Sequence, residues 1–342
     1  MRLIRQLLPF ASLLFMLILL SALKPDTFLT ADNFLNVFRR CSVNAIIAVG
    51  MTAIIISGGI DLSVGSMLAL SGMTGAVTIL ALDPIYIADP KKLEVEGMIL
   101  RHLHDWFMAA GGEHLVPYRF VLGTLVGILT GIFCGFLNGA LINSLKLPPF
   151  ILTLGTMSVF RGISYVMNDG QPYNLPEYKF LGDGQAFGVP ISIVIAAVIV
   201  LLAIVILNRT TLGRYTYAIG ANRTATLYSG VNVTRNLTIV YTLAGLLVGV
   251  ASMIASSRTV SAQPTAGNGL ELDIIAAVVI GGASLNGGRG TTVGTIIGTL
   301  LISFLRNGCT LLGISTNIQL IVIGIIIVVA VSVDQLARSK SK

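Results

Sequence analysis

Charge is scarce in this 342-residue chain: only 11% of its residues are Asp, Glu, Lys or Arg, whereas 54% are hydrophobic. Soluble domains carry about a quarter of their residues as charges. The polar residues cannot coat a globule of this size, which indicates a polytopic membrane protein. Cysteine is scarce as well. Cys41, Cys134 and Cys309 each sit in or beside an apolar segment, and an odd number of that kind argues against a disulfide framework and for small apolar side chains. The three histidines, His102, His104 and His114, fall within thirteen residues. No cysteine or second spaced motif accompanies them, so they read as solvated loop residues, and no metal site is expected. The chain lacks G-x-x-x-x-G-K-[ST], H-E-x-x-H and any Ser/His/Asp constellation. It therefore has no nucleotide site of its own and no catalytic residues to name, and a transporter or channel is the default reading. Period-2 alternation is missing too, which leaves an α-helical bundle rather than a closed barrel. The net charge of +7 needs no nucleic acid to explain it, because cytoplasmic loops of membrane proteins collect Lys and Arg.

What is present is a succession of apolar blocks. Ten spans are predicted, at 7–23, 41–57, 66–82, 119–143, 150–167, 190–207, 236–256, 272–284, 291–306 and 316–333. Several are shorter than the roughly 20 residues of a straight crossing, and the eighth and ninth are candidates for half-helices. The first block, Leu7 to Leu23, is too long for a signal-peptide core and reads as a retained span. Arg209, Arg214, Arg223 and Arg235 lie in the connection 208–235, which holds no acid, whereas 83–117 and 168–189 are net acidic. The positive-inside rule then puts both termini and 208–235 in the cytoplasm.

Two non-spanning helices are expected outside. One is LTADNFLNVFRR, capped by Thr30, with Phe34, Leu35 and Phe38 on one face. The other begins with Asp89 as cap and Pro90 at its first position, carries Val95, Ile99, Trp106 and Ala110 at helical spacing, and stops at Gly111-Gly112; it reads as interfacial. Glycine recurs every fourth residue at Gly123, Gly127, Gly131, Gly135 and Gly139, a bare face on which another helix can pack closely. Gly245/Gly249 and Gly294/Gly298 repeat the device.

Two glycine-rich stretches interrupt apolar blocks: SGGIDLSVGS (57–66), with Gly58, Gly59 and Gly65, and GGASLNGGRG (281–290), with Gly281, Gly282, Gly287 and Gly288. Such breaks in two halves of a chain are a trace of repeats with broken helices, and these two share GG-x-x-L. Asp61, Arg161, Asp273 and Arg289 are the ionisable residues nearest the apolar blocks. Asp61 reads as the cap of a helix starting near Leu62 or as a pathway group, and Asp273 as another cap; no partner for Arg161 is evident.

The stretch LGRYTYAIGANRTATLYSGVNVTRN carries the clearest functional signal. Asn222 is a good N-cap, Arg223 to Ser229 can form two turns, and Gly230 suits the position after the C-cap. A transporter without a nucleotide site uses an ion gradient or borrows an ATPase. An ion-coupled carrier usually holds acids or histidines deep in its spans, and these are nearly absent, so the balance favours a docking helix for a borrowed ATPase.

SVNAIIAVGMTAIIISGGIDLSVGSMLALSG, LGRYTYAIGANRTATLYSGVNV, SAQPTAGNGLELDIIAAVVIGGASLNGGRGTTVGTIIG and RNGCTLLGIS resemble the ribose-type permeases of bacterial ABC importers, from about residue 25 to 335. The resemblance implies a single transmembrane permease domain in the inner membrane, paired with a second copy (a homodimer, sometimes a heterodimer). Two ATPase subunits would sit below it and an extracytoplasmic sugar-binding protein above. No cofactor would be bound by this chain, ATP-Mg being held by the ATPase. The substrate class is monosaccharides, mainly pentoses. The family's coupling helix falls on Asn222, Arg223, Ala225, Thr226, Ser229 and Gly230, although Arg223 stands where many members have an acid, and the loop 83–117 is longer than usual. A pathway for neutral sugars needs polar uncharged groups, for which Asn44, Thr153 and Thr156 are candidates beside Asp61, with Phe150 as an apolar gate. The alternative is an ion-coupled secondary sugar carrier.

Overall fold

A computed structural model of the chain describes residues 2–88, 97–186 and 188–339. Helices dominate. In order they are α1 (Arg2–Leu23), α2 (Pro25–Phe28), α3 (Ala31–Ile56), α4 (Val64–Ala81), α5 (Pro84–Ala88), α6 (Met98–Ala109), α7 (Arg119–Ser144) and α8 (Pro149–Val166). There follow α9 (Phe180–Asp183), α10 (Ile191–Arg209), α11 (Thr211–Ala221), α12 (Arg223–Tyr228), α13 (Val233–Thr259), α14 (Leu270–Ile280), α15 (Thr292–Leu311) and α16 (Thr316–Ser339). Each of the ten predicted segments overlaps a helix of 11 residues or more. Among the described residues six helices are long and apolar enough to cross a membrane. Among the described residues the strands are two-residue ladders in the connections: β1 (Tyr173–Asn174) pairs antiparallel with β4 (Ser261–Ala262), and β2 (Gln185–Ala186) with β3 (Val189–Pro190).

The helix starts and stops follow local chemistry. Thr30 caps α3 as expected, its hydroxyl accepting from the Asn33 N–H at 3.3 Å. The helix it opens is not a separate outer one, however. It runs unbroken through Arg39 and Arg40 into the second predicted span, because no glycine or proline stands between them to stop it. At its far end Gly58, at φ +85°, donates to the Ile55 carbonyl, and Gly59 donates to that of Ile54. This is the left-handed glycine stop that satisfies two orphan carbonyls. Helix α14 ends the same way: Gly282, at φ +91°, donates to Val279, and Ala283 donates to Val278. With 11 residues, α14 spans roughly 16 Å and cannot cross a hydrocarbon core of about 30 Å. It is a half-helix, whereas α15, with 20 residues, is full length. Gly65 is not at a break; it lies in the first turn of α4.

The chain divides into two compact units. The first comprises residues 1–60, 195–240 and 269–342 and the second 61–194 and 241–268. In the first, α15 packs on α1, α3 and α14, and Phe28, Phe34, Phe38 and Phe304 form an aromatic cluster with centroids 5.5–6.5 Å apart. A side chain on Gly294 or Gly298 would strike the α14 backbone. In the second unit the glycine face of α7 packs against backbone. A Cβ on Gly123 would lie 2.6 Å from the Gly75 carbonyl oxygen, one on Gly127 2.8 Å from that of Ser71, and one on Gly131 2.5 Å from that of Gly245. Helices α4 and α13 approach α7 through this face.

The loop helix α6 ends where its glycines direct, with Gly111 at φ +73°. Its proposed cap Asp89, with Pro90 and Val95, lies outside the described residues. Ile99 and Trp106 are exposed, and the buried side is Leu100 and His104. His104 is thus not a solvated loop residue: a ring nitrogen lies 2.8 Å from the Ala81 carbonyl oxygen at the end of α4. His102 and His114 are exposed. All three cysteines are free and buried.

Candidate functional site

The basic connection between α10 and α13 folds into two helices. Thr210 caps α11, accepting from the Gly213 N–H at 3.4 Å. Asn222 both ends α11 and opens α12, its side-chain oxygen accepting from the Ala225 N–H at 2.9 Å. Gly230, at φ +81°, closes α12 by donating to Leu227, and Val231 donates to Thr226. Asn222 and Gly230 hold the capping positions read for them from the sequence. Helix α11 is fixed to the start of α13 by a small core of Ile219, Val233 and Leu237 and by the Asn236 amide donating to the Thr216 hydroxyl at 3.3 Å. On α12, Thr226 is buried and back-bonded to the Asn222 carbonyl, whereas Arg223, Ala225 and Ser229 are exposed. Leu227 is 57% and Tyr228 86% exposed. The helix is thus short, capped at both ends, and leaves Leu227 and Tyr228 uncovered on the same six residues as Arg223.

The second unit contains a buried polar cluster at Asp61. One carboxylate oxygen accepts from the Ser63 N–H at 2.8 Å and from the Ser63 hydroxyl at 2.6 Å. The Asn138 amide of α7 donates to the Ser63 hydroxyl at 2.8 Å and reaches the other carboxylate oxygen at 3.5 Å. Asp61 is 1% exposed. It does not cap α4 in the expected way. The N-cap position belongs to Ser63, and Asp61 accepts from that residue rather than from the first helical turn. Thr153 binds the same turn, its hydroxyl accepting from the Leu62 N–H at 3.2 Å while donating to the Pro149 carbonyl. Thr156 is back-bonded to Thr153, Phe150 is half-exposed at the start of α8, and Asn44 is partly buried in α3 of the first unit.

Arg161, for which no partner is evident in the sequence, and Asp273, read there as a helix cap, are both engaged by side-chain contacts. Arg161 donates to the Pro264 and Ala266 carbonyls at 2.6 and 2.7 Å, clamping the loop between β4 and α14. Asp273 pairs with Arg306 of α15 at 2.7 Å and is not a helix cap; Gly269 occupies that position. Its partner lies 33 residues away, beyond the reach of local pattern reading.

A family model described as "Branched-chain amino acid transport system / permease component" matches residues 33–331. The ribose import permease protein RbsC of Bacillus subtilis (strain 168) is 41% identical over 331 residues, covering 96% of this chain and 92% of that protein. RbsC of Escherichia coli (strain K12) is 40% identical, covering 94% and 91%. The D-allose transport system permease protein AlsC of Escherichia coli (strain K12) is 34% identical, covering 92% and 87%. No solved structure matches. Such full-length similarity favours an ABC permease over an ion-coupled carrier and makes the chain a multi-pass membrane component of a transporter rather than an enzyme. The chain belongs to this permease-component family and, within it, to the ribose-type ABC permeases.

Proposed function

We propose that this chain is the translocating subunit of an ABC importer for ribose or a closely related monosaccharide, with α12 as the helix on which an ATPase subunit docks. Identity of about 40% along nearly the whole chain to ribose import permeases carries the substrate class. The exposed pair Leu227 and Tyr228 on a rigidly capped helix supports the docking role. In this reading the ten predicted segments form the membrane bundle, with both termini and α12 in the cytoplasm as the arginine distribution requires. A second copy of the permease completes the pathway, and an extracytoplasmic sugar-binding protein delivers substrate. ATP-Mg is held by the ATPase and no cofactor by this chain. Asn44, Asp61, Phe150, Thr153 and Thr156 remain the pathway candidates, although the hydroxyl of Thr153 is already engaged with backbone on both sides.

Radiolabelled D-ribose uptake in cells lacking the native gene, with and without the plasmid-borne chain, tests the transport role. Restored uptake that ATP depletion abolishes is expected. Tyr228→Ala should reduce copurification of the ATPase by tenfold or more, since exposed aromatic anchors are worth about 2 kcal/mol or more at interfaces. Unchanged copurification would remove α12 from the docking role.

A further inference from the structure

The two glycine-rich stretches meet helix α11 at one point in the first unit. The Gly288 N–H of the second stretch donates to the carbonyl of Ile56, the last residue of α3, at 2.8 Å. Gly220, one residue before the end of α11, faces the same carbonyl so closely that a Cβ there would land on its oxygen, 2.5 Å from the Gly288 nitrogen. A Cβ on Gly287 would lie 2.8 Å from the Gly220 carbonyl oxygen and 3.0 Å from the Gly58 Cα. One on Gly288 would lie 3.0 Å from the Ala221 Cα. The joint also carries one directional side-chain bond, from the Tyr217 hydroxyl of α11 to the Gly290 carbonyl at 2.8 Å.

This is backbone against backbone. Side chains can absorb a small displacement by changing rotamer, but close-packed main chain transmits it. Ala221 ends α11 and the next residue, Asn222, caps α12. A shift of α12 therefore acts within one residue on a joint that holds the C-terminus of α3 and the turn leaving half-helix α14.

We propose that this joint is the lever connecting α12 to the two broken-helix turns, with Tyr217 as the positioning residue that keeps the 281–290 turn attached to α11. The inference rests on the docking reading of α12. The signature of a lever is a change in coupling rather than in assembly, and coupling between sites is typically worth a factor of about 5 to 150.

The test uses the full chain copurified with its ATPase subunit and reconstituted with the sugar-binding protein in proteoliposomes, with radiolabelled D-ribose uptake and ATP hydrolysis measured on the same preparation. Tyr217→Phe should recover as much ATPase as wild type and hydrolyse ATP at a similar rate, while uptake per ATP falls about fivefold or more. Gly220→Ala, where it folds, should give the same signature more strongly. An unchanged ratio of uptake to hydrolysis in Tyr217→Phe overturns the lever. So does an equal loss of both activities or a loss of ATPase binding, which marks a merely structural contact. Should the wild-type chain itself recover no ATPase, the docking reading fails and takes the lever with it. If wild type couples and Tyr217→Phe couples equally well, the lever alone fails.

Discussion

The glycine-rich turns at 57–66 and 281–290 stop their helices identically and then differ in everything that follows. Sequence matching through GG-x-x-L pairs Gly58 with Gly281, but geometry pairs Gly58 with Gly282: these two take the left-handed conformation and close the final turns of α3 and α14. Beyond the stop, the first stretch leads to a buried carboxylate, Asp61, bonded to Ser63 and approached by Asn138. The second holds no carboxylate. It folds on itself through the Ser284 N–H to Arg289 carbonyl bond at 3.0 Å and presents Gly287 and Gly288 to neighbouring backbone. Stopping a helix needs one residue of the right conformational freedom, whereas anchoring the chain after the stop depends on what packs there.

Five substitutions probe this comparison. The largest effect is expected at Gly220→Ala, which drives a methyl group into the Ile56 carbonyl and should cost at least the upper end of the 1–3 kcal/mol (about) typical of overpacking. Thermal unfolding of the detergent-solubilised protein would show it. Asp61→Ala comes next. It strips the buried Ser63 N–H and hydroxyl of their acceptor and should cost about 2–3 kcal/mol, with no counterpart in the second turn. Gly58→Ala and Gly282→Ala should each cost about 1–2 kcal/mol. Added Cβ atoms there meet nothing within 4 Å, so the loss is conformational and should be equal at the two sites; clearly unequal shifts in melting temperature would end the equivalence. Asp61→Asn should be the mildest, below about 1 kcal/mol, because an amide oxygen can still accept from Ser63. If that variant unfolds like wild type but loses D-ribose uptake, the charge of Asp61 serves transport.

Much of this was legible because it was local. The caps of α12 are set by Asn222 and Gly230, each three residues from the backbone group it pairs with. The period-four glycines of α7 identified the packing face. Expectations that depended on distant chain went astray. The free boundary assumed after Arg40 does not exist, Asp273 found Arg306 rather than a helix end, and His104 was drawn out of solvent by the Ala81 carbonyl. Tyr217 was not singled out at all, since its role is defined by Gly290, 73 residues on.

By itself the sequence determined that the chain is helical and membrane-embedded, where most helices start and stop, and to which transporter family it belongs. Apolar run length, capping side chains and glycine φ freedom act over a few residues, and the family motifs are long. Only the tertiary structure decided which backbone each glycine meets, which charges pair, and that both broken-helix turns converge on α11. Those outcomes depend on contacts between segments tens to hundreds of residues apart, and no local periodicity encodes them.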